Sequence, residues 1–265
     1  MKYRHFGAAL AAFFLLSPSA WTAAPPSPYE AALQKLSDKN PSVRKQGADA
    51  LGELRNPAAA PALAKLLTDA SPQVRGSALD ALGVMRVQSA GAQIVKMLES
   101  DPDGSVRQTA AIALSYIGNR AFTPSLIKGM DDAHDGTRFA SVNSLAILRD
   151  ASAVKALTEK LNTADPRMRK SVSYALAKIQ DKSSVPAILD SLKVSRSTET
   201  QGGKAMADPS VAASLLRSLG EMGDKTAVPR IKPFLNDPDP QVKAAAAHAL
   251  AMLGDNPKGK DSKKK

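Results

Sequence analysis

Histidine is the residue type best suited to proton transfer or metal ligation, and the chain has three: His5, His134 and His248. Such a site needs a second ligand or a carboxylate at a fixed short spacing. The residues that follow the three histidines are Phe6, Asp135 and Ala249, so no His-Glu pair exists. Asp131, Asp132, His134 and Asp135 stand together, as a divalent cation would require, but an acidic turn of this kind is ordinarily only solvated. There is no Cys, which excludes thiolate ligands and disulfides. No Gly-x-Ser-x-Gly elbow, phosphate-binding loop or dinucleotide fingerprint occurs, and the lone "QGGK" at 201–204 follows no strand. The expectation from the residues is therefore no catalytic group, no metal and no cofactor.

Nucleic acid is excluded on similar grounds. The pI is about 9.8, but the aromatics that would stack on bases make up only 4% of the chain, and its one Trp, Trp21, lies near the N-terminus.

The elements that would position any site are written as a phrase that recurs. "NPSVRKQGADALGEL", "SPQVRGSALDALGVM" and "DPQVKAAAAHALAML" are three of seven versions. Val43, Val74, Val106, Thr137, Met168, Val211 and Val242 align at gaps of 31, 32, 31, 31, 43 and 31 residues. A leucine stands eight residues after each: Leu51, Leu82, Leu114, Leu145, Leu176, Leu219 and Leu250. A period near 31 is the mark of stacked units.

Each unit reads as two short helices. In the second unit Leu63, Leu66 and Leu67 share one helical face, Ser71 is the candidate N-cap with Pro72 just inside, and Val74, Ala78, Ala81, Leu82 and Met85 share another face. The Ala81 column is always Ala or Ser, which predicts closely crossing helices. One such pair cannot bury its own apolar face, but a stack can. The prediction is an all-α solenoid of about seven hairpins over residues 29–256, with a loop insertion at about 194–208.

A second column runs beside the first. Asp38, Asp69, Asp101, Asp132 and Asp237 stand six residues before Arg44, Arg75, Arg107, Arg138 and Lys243. A cation near a helix N-terminus opposes the macrodipole and needs a carboxylate. These residues are read as a structural Asp-Arg ladder tying the interhelical turns together, within and between units. Two departures are visible: Asp165 is displaced to four residues before Arg169, and Ala212 replaces the Arg of the sixth unit.

The Asp-to-Arg spacing, the Pro-x-Val-Arg turn and the Ala-Leu-Gly ending, as in "DALGVM" at 80–85, resemble the HEAT repeat, in particular the short bacterial phycobilisome-lyase HEAT-like kind. The resemblance implies the fold strongly and activity weakly. Similar proteins are mostly protein-binding scaffolds, with a minority of enzymes. Deoxyhypusine hydroxylase is built of similar repeats and holds two irons on His-Glu pairs, which this chain lacks.

The ends suggest location. Lys2 and Arg4, the apolar run from Phe6 to Leu16, and the small residues and prolines after it have the layout of a secretory signal over 1–24, with a Pro-rich linker at 25–28. At the other end, 257–265 carries Lys258, Lys260, Lys263, Lys264 and Lys265, a basic tail that could reach an anionic envelope surface.

The functional expectation is an exported, non-enzymatic scaffold that binds a protein or peptide partner on its concave face, in the periplasm or outside the cell. The groove is placed at Leu79, Ile112, Phe139, Val142, Tyr174 and Leu216, bulky apolar residues on the faces of second helices turned away from the core. Packing against neighbouring inner helices would account for them equally well. The enzyme alternatives are a tetrapyrrole lyase-like protein or a metal-dependent oxidoreductase, and a further alternative is an envelope assembly factor held by the basic tail.

Overall fold

A computed structural model of the chain describes residues 25–196 and 207–255, together with the backbone of 200–201 and 204–205. The expected signal at 1–24, the basic tail and most of the 194–208 insertion lie outside the described residues.

Among the described residues fourteen α-helices pair in order as seven hairpins. The first four are α1 (Pro28–Lys35) with α2 (Pro41–Leu54), α3 (Ala60–Leu66) with α4 (Pro72–Val84), α5 (Gly91–Ser100) with α6 (Gly104–Ile117), and α7 (Thr123–Gly129) with α8 (Asp135–Leu148). Then come α9 (Val154–Lys160) with α10 (Pro166–Ile179), α11 (Val185–Val194) with α12 (Pro209–Met222), and α13 (Val228–Ile231) with α14 (Pro240–Met252). The only strand pairing among the described residues is a two-residue antiparallel ladder, Thr200–Gln201 with Lys204–Ala205, inside the insertion of the sixth hairpin.

The helices begin where local chemistry tells them to. Asn40, Asp103, His134, Asp165, Asp208 and Asp239 each accept a backbone N–H of the first turn of a second helix, satisfying a donor the helix leaves open. Ser71 occupies the same place in the second hairpin, but its hydroxyl donates to Gln73 Oε1 at 2.8 Å and does not cap. Gly118 and Gly223 end α6 and α12 in the left-handed conformation that glycine adopts without steric cost.

One core runs the length of the array. Val74, Leu82, Leu114, Leu145, Leu176, Leu219 and Leu250 are fully buried in it. Second helices pack on their successors from α2 through α14, whereas among first helices only α5 and α7 do so appreciably. The row is therefore tightest on the side of the second helices, which form its inner wall. Close approach there depends on small residues: a Cβ on Gly52 would lie 3.0 Å from Ala81 Cβ, and one on Gly83 2.9 Å from Ala113 Cα. This is the crossing predicted from the Ala/Ser column.

The Asp-Arg ladder has a sharper geometry than its spacing suggested. Arg44 donates through Nε and Nη2 to both carboxylate oxygens of Asp69 at 2.7 Å, and through Nη1 to the Asp38 carbonyl at 2.9 Å. Arg75 joins Asp101 (2.8 and 2.7 Å) and the Asp69 carbonyl in the same way. Arg107 joins Asp132 (2.7 and 2.8 Å) and the Asp101 carbonyl. Each Asp also accepts the backbone N–H two residues on, from Ser71, Asp103 or His134. Every rung thus runs from a carbonyl of its own unit, through a bidentate guanidinium, to the carboxylate of the next.

Three residues of the expected ladder make no carboxylate–cation rung to a neighbouring unit among the described residues. Asp38 is met by Arg44 only through its carbonyl, while its carboxylate accepts the Asn40 N–H at 2.7 Å. Arg138 binds the Asp132 and Ala133 carbonyls and turns its other arm to Asp135, because Thr163 stands where the fifth unit would present its Asp. Lys243 is exposed and does not reach Asp237, whose carboxylate is taken by Arg196. Arg169, 1% exposed, donates to Ser195 Oγ at 3.4 Å, and its burial lowers its pKa from the ordinary guanidinium value.

Candidate binding groove

The inner wall is built from two columns of the second helices. The column six residues after the core valine reads Asp49, Asp80, Ile112, Asn143, Tyr174, Arg217 and His248. Four residues further on, on the same helical face, stand Glu53, Val84, Tyr116, Ile147, Lys178, Glu221 and Met252. All of these side chains are exposed or half-buried. The wall is acidic at the first two hairpins and apolar and aromatic in the middle, and it gains the cations Lys178 and Arg217, with Glu221 between them, at the fifth and sixth. Its large open apolar residues include Tyr116 (51% exposed), Ile147 (61%) and Tyr174 (49%).

This corrects half of the expected groove. Leu79, Val142 and Leu216 are wholly buried. They stand five residues after the core valine, and that column points into the seam between successive second helices. One residue more turns the helix by about 100°, which brings the side chain out of the seam. Ile112 and Phe139 are half-buried and Tyr174 is open, so these three do reach the wall. Tyr116 and Ile147 were missed. Their signal was the four-residue spacing from Ile112 and Asn143 on one face.

Cations stand over two of these rings. Arg167 Cζ lies 5.2 Å from the Phe139 centroid, and Lys178 Nζ lies 4.9 Å from that of Tyr174. Arg167 also pairs with Asp135 at 3.1 Å, and that hydrogen bond is the main cause of the lowered Asp135 pKa. Lys178 pairs with Glu221 at 3.0 Å, and Lys170 reaches Ser210 Oγ at 3.3 Å.

At the acidic end two hollows, of about 530 and 420 Å³, share Asp49, Ser77 and Asp80. Asp80 is open to water at its tip, yet the surrounding wall strips enough solvent to push its pKa up. The negative charge of Asp49 adds to this, and Lys45 opposes it. Lys45 itself is paired with Asp49 at 2.6 Å. Among the described residues no group of three or more His, Asp or Glu could hold a metal ion. His134 caps α8, and the Asp131–Asp135 segment is tied up in ladder and surface ion pairs.

Comparison with known proteins adds the following. The family described as HEAT repeats matches residues 29–115, 91–162, 123–207 and 201–262. Phycocyanobilin lyase subunit alpha of Nostoc sp. is 29% identical over 166 residues, covering 58% of this chain and 59% of the relative. The protein of the same name from Picosynechococcus sp. is 28% identical over 115 residues, covering 43% and 42%. The chain thus spans about two fifths to three fifths of these relatives. Among solved structures, Escherichia coli YibA matches with a TM-score of 0.60 at 22% identity, over 86% of this chain and 81% of that one. The complex of CpcE and CpcF of phycocyanin lyase from Nostoc sp. matches at 0.53 and 22%, over 87% and 89%. At that identity the structures speak for the fold alone. The names of the sequence relatives overturn the expectation of a non-catalytic, non-enzymatic scaffold, since both are subunits of a lyase. The error came from weighing the absent catalytic motifs above the repeat type that carried the resemblance.

Proposed function

The chain belongs to the HEAT-repeat family, and from that premise we propose that it is a lyase-type subunit that holds a tetrapyrrole on its inner wall and acts together with a partner protein. The observation that carries the reading is the middle of that wall. Ile112, Tyr116, Ile147 and Tyr174 offer an open apolar and aromatic strip, with Lys178, Arg217 and Lys170 beside it. An open-chain tetrapyrrole is a long conjugated ligand with two propionate arms. Its faces suit the strip and its carboxylates suit the cations. The names of the two sequence relatives support the ligand class, and their being subunits supports a protein partner.

Titration of the chain with phycocyanobilin, followed by absorbance, tests this. We expect saturable binding with a shifted and sharpened visible band. Tyr174→Ser combined with Ile147→Ser should weaken it roughly ten-fold or more, since each removes apolar area worth about 1.5–3 kcal/mol when buried. No saturable binding, or equal binding by the double variant at unchanged helicity, would overturn the reading. Export belongs to the same proposal and rests on the pattern of residues 1–24; fractionation of the native cells tests it.

A further inference from the structure

The two ends of the array carry the two halves of one more junction. Each rung of the ladder joins the cation of one unit to the Asp of the next, as Arg44 does with Asp69 and Arg75 with Asp101. Among the described residues no hairpin stands before the first to serve its Asp. The Asp38 carboxylate is exposed and accepts the Asn40 N–H; Arg44 feels its charge, but among the described residues no cation forms an ion pair with it. At the other end Lys243 is exposed, and among the described residues no Asp of a further hairpin meets it.

A second, independent set of residues shows the same open ends. Gly52 packs on Ala81, Gly83 on Ala113 and Gly220 on Ala249, each glycine lying nine residues after its core valine and each alanine seven after the next one. The residue nine after Val242 is Ala251, which is exposed, and the residue seven after Val43 is Ala50, which is half-buried. The seam column shows it again. Leu79, Val142 and Leu216 are fully buried, but Ala247, their counterpart in the last unit, is only half-buried. End units of a solenoid ordinarily present a polar outer face. Here Ala244, Ala251 and Met252 are open on α14.

We propose that the chain stacks head to tail on a second copy of itself, the last hairpin of one copy seating on the first hairpin of the next. Lys243 of one copy then pairs with Asp38 of the other, and Ala251 faces Ala50, repeating the junction that joins the first hairpin to the second and the second to the third, where both the ion pair and the close crossing are made. The occupant is a second copy because one sequence carries both halves at matching repeat positions. The contact is heterologous, so each added copy leaves an open end until enough copies have joined to bend round into a ring. Mass should rise continuously with concentration.

Sedimentation equilibrium of the purified chain from micromolar to several hundred micromolar tests this at low and high salt. We expect a weight-average mass that climbs without a plateau at two copies and falls as salt screens the pair. Asp38→Lys and Lys243→Asp should each weaken association roughly five-fold, the scale of an exposed ion pair turned repulsive. An equimolar mixture of the two single variants, and the variant carrying both changes, should recover it. Ala251→Arg should abolish it. These positions are open, so circular dichroism should report unchanged folding. A mass that stays at one copy, a plateau at two copies, or failure of both recovery arms overturns the proposal.

Discussion

Arg196 donates through Nε and Nη2 to the two carboxylate oxygens of Asp237 at 2.9 and 2.8 Å. The donor lies just beyond the C-terminal end of α11, not on the second helix that supplies the other rungs. The sixth hairpin has Ala212 at the usual place, so an arginine from a neighbouring element completes the link to the seventh. Removing it strands a carboxylate that is nearly buried. Arg196→Ala should therefore cost roughly 1–3 kcal/mol, less than a fully buried pair because the guanidinium is partly open. The cost should appear as a lower urea midpoint for the C-terminal hairpins. Asp237→Asn in the same chain should return part of it, since the stranded charge is then gone.

Two carboxylates should answer acid in opposite senses. Asp132 is held below the ordinary carboxylate range chiefly by its hydrogen bond from Arg107. Its stabilisation is complete above the unfolded value of about 4 and is lost as pH falls through the lower folded value. Asp80 is pushed up by burial and by Asp49, so it destabilises the fold above its raised pKa and ceases to do so as pH falls through it. Asp132→Asn should lower the melting temperature at pH 7 and do little near pH 2. Asp80→Asn should raise it slightly at pH 7, within about 0.5 kcal/mol, and lose that gain on acidification. Melting curves between pH 2 and 7 check both.

Two glycines of α4 separate local propensity from packing. A Cβ on Gly76 would meet nothing within 4 Å, while one on Gly83 would lie 2.9 Å from the Ala113 backbone. Gly76→Ala should stabilise by about 1 kcal/mol through helix propensity alone. Gly83→Ala should forfeit that gain and cost a further 1–3 kcal/mol or so, because the inner helices must part. Chemical denaturation of the two variants side by side decides it.

The architecture was legible because it is periodic. The Val43 and Leu51 columns each report one physical constraint seven times over, and the Ala81 column announced the close crossing before any coordinate did. The ladder partners were legible, but not their direction. Spacing placed Asp38 and Arg44 together, whereas the guanidinium takes the carbonyl of its own unit and the carboxylate of the next. Which side chains stand open on the inner face was half legible. Leu79 and Asp80 are adjacent in sequence, and one is sealed while the other stands in the open. Which of them faces the partner helix depends on a turn of about 100°, finer than hydrophobicity can resolve without the neighbouring unit in place. The sixth rung was illegible because Arg196 lies outside the repeat register.

The missing rung between the fourth and fifth hairpins has an elastic consequence. Elsewhere in the first half of the array a two-pronged guanidinium clamps each unit to its successor. At this junction Arg138 folds back on its own turn, and the crossing is left to exposed pairs such as Arg167 with Asp135. A superhelix bent or stretched by a guest yields first where its ties are weakest. Phe139 and Tyr174 lie on either side of that joint, so flexing there would open or pinch the spacing between the two rings while the stiffer halves move as blocks.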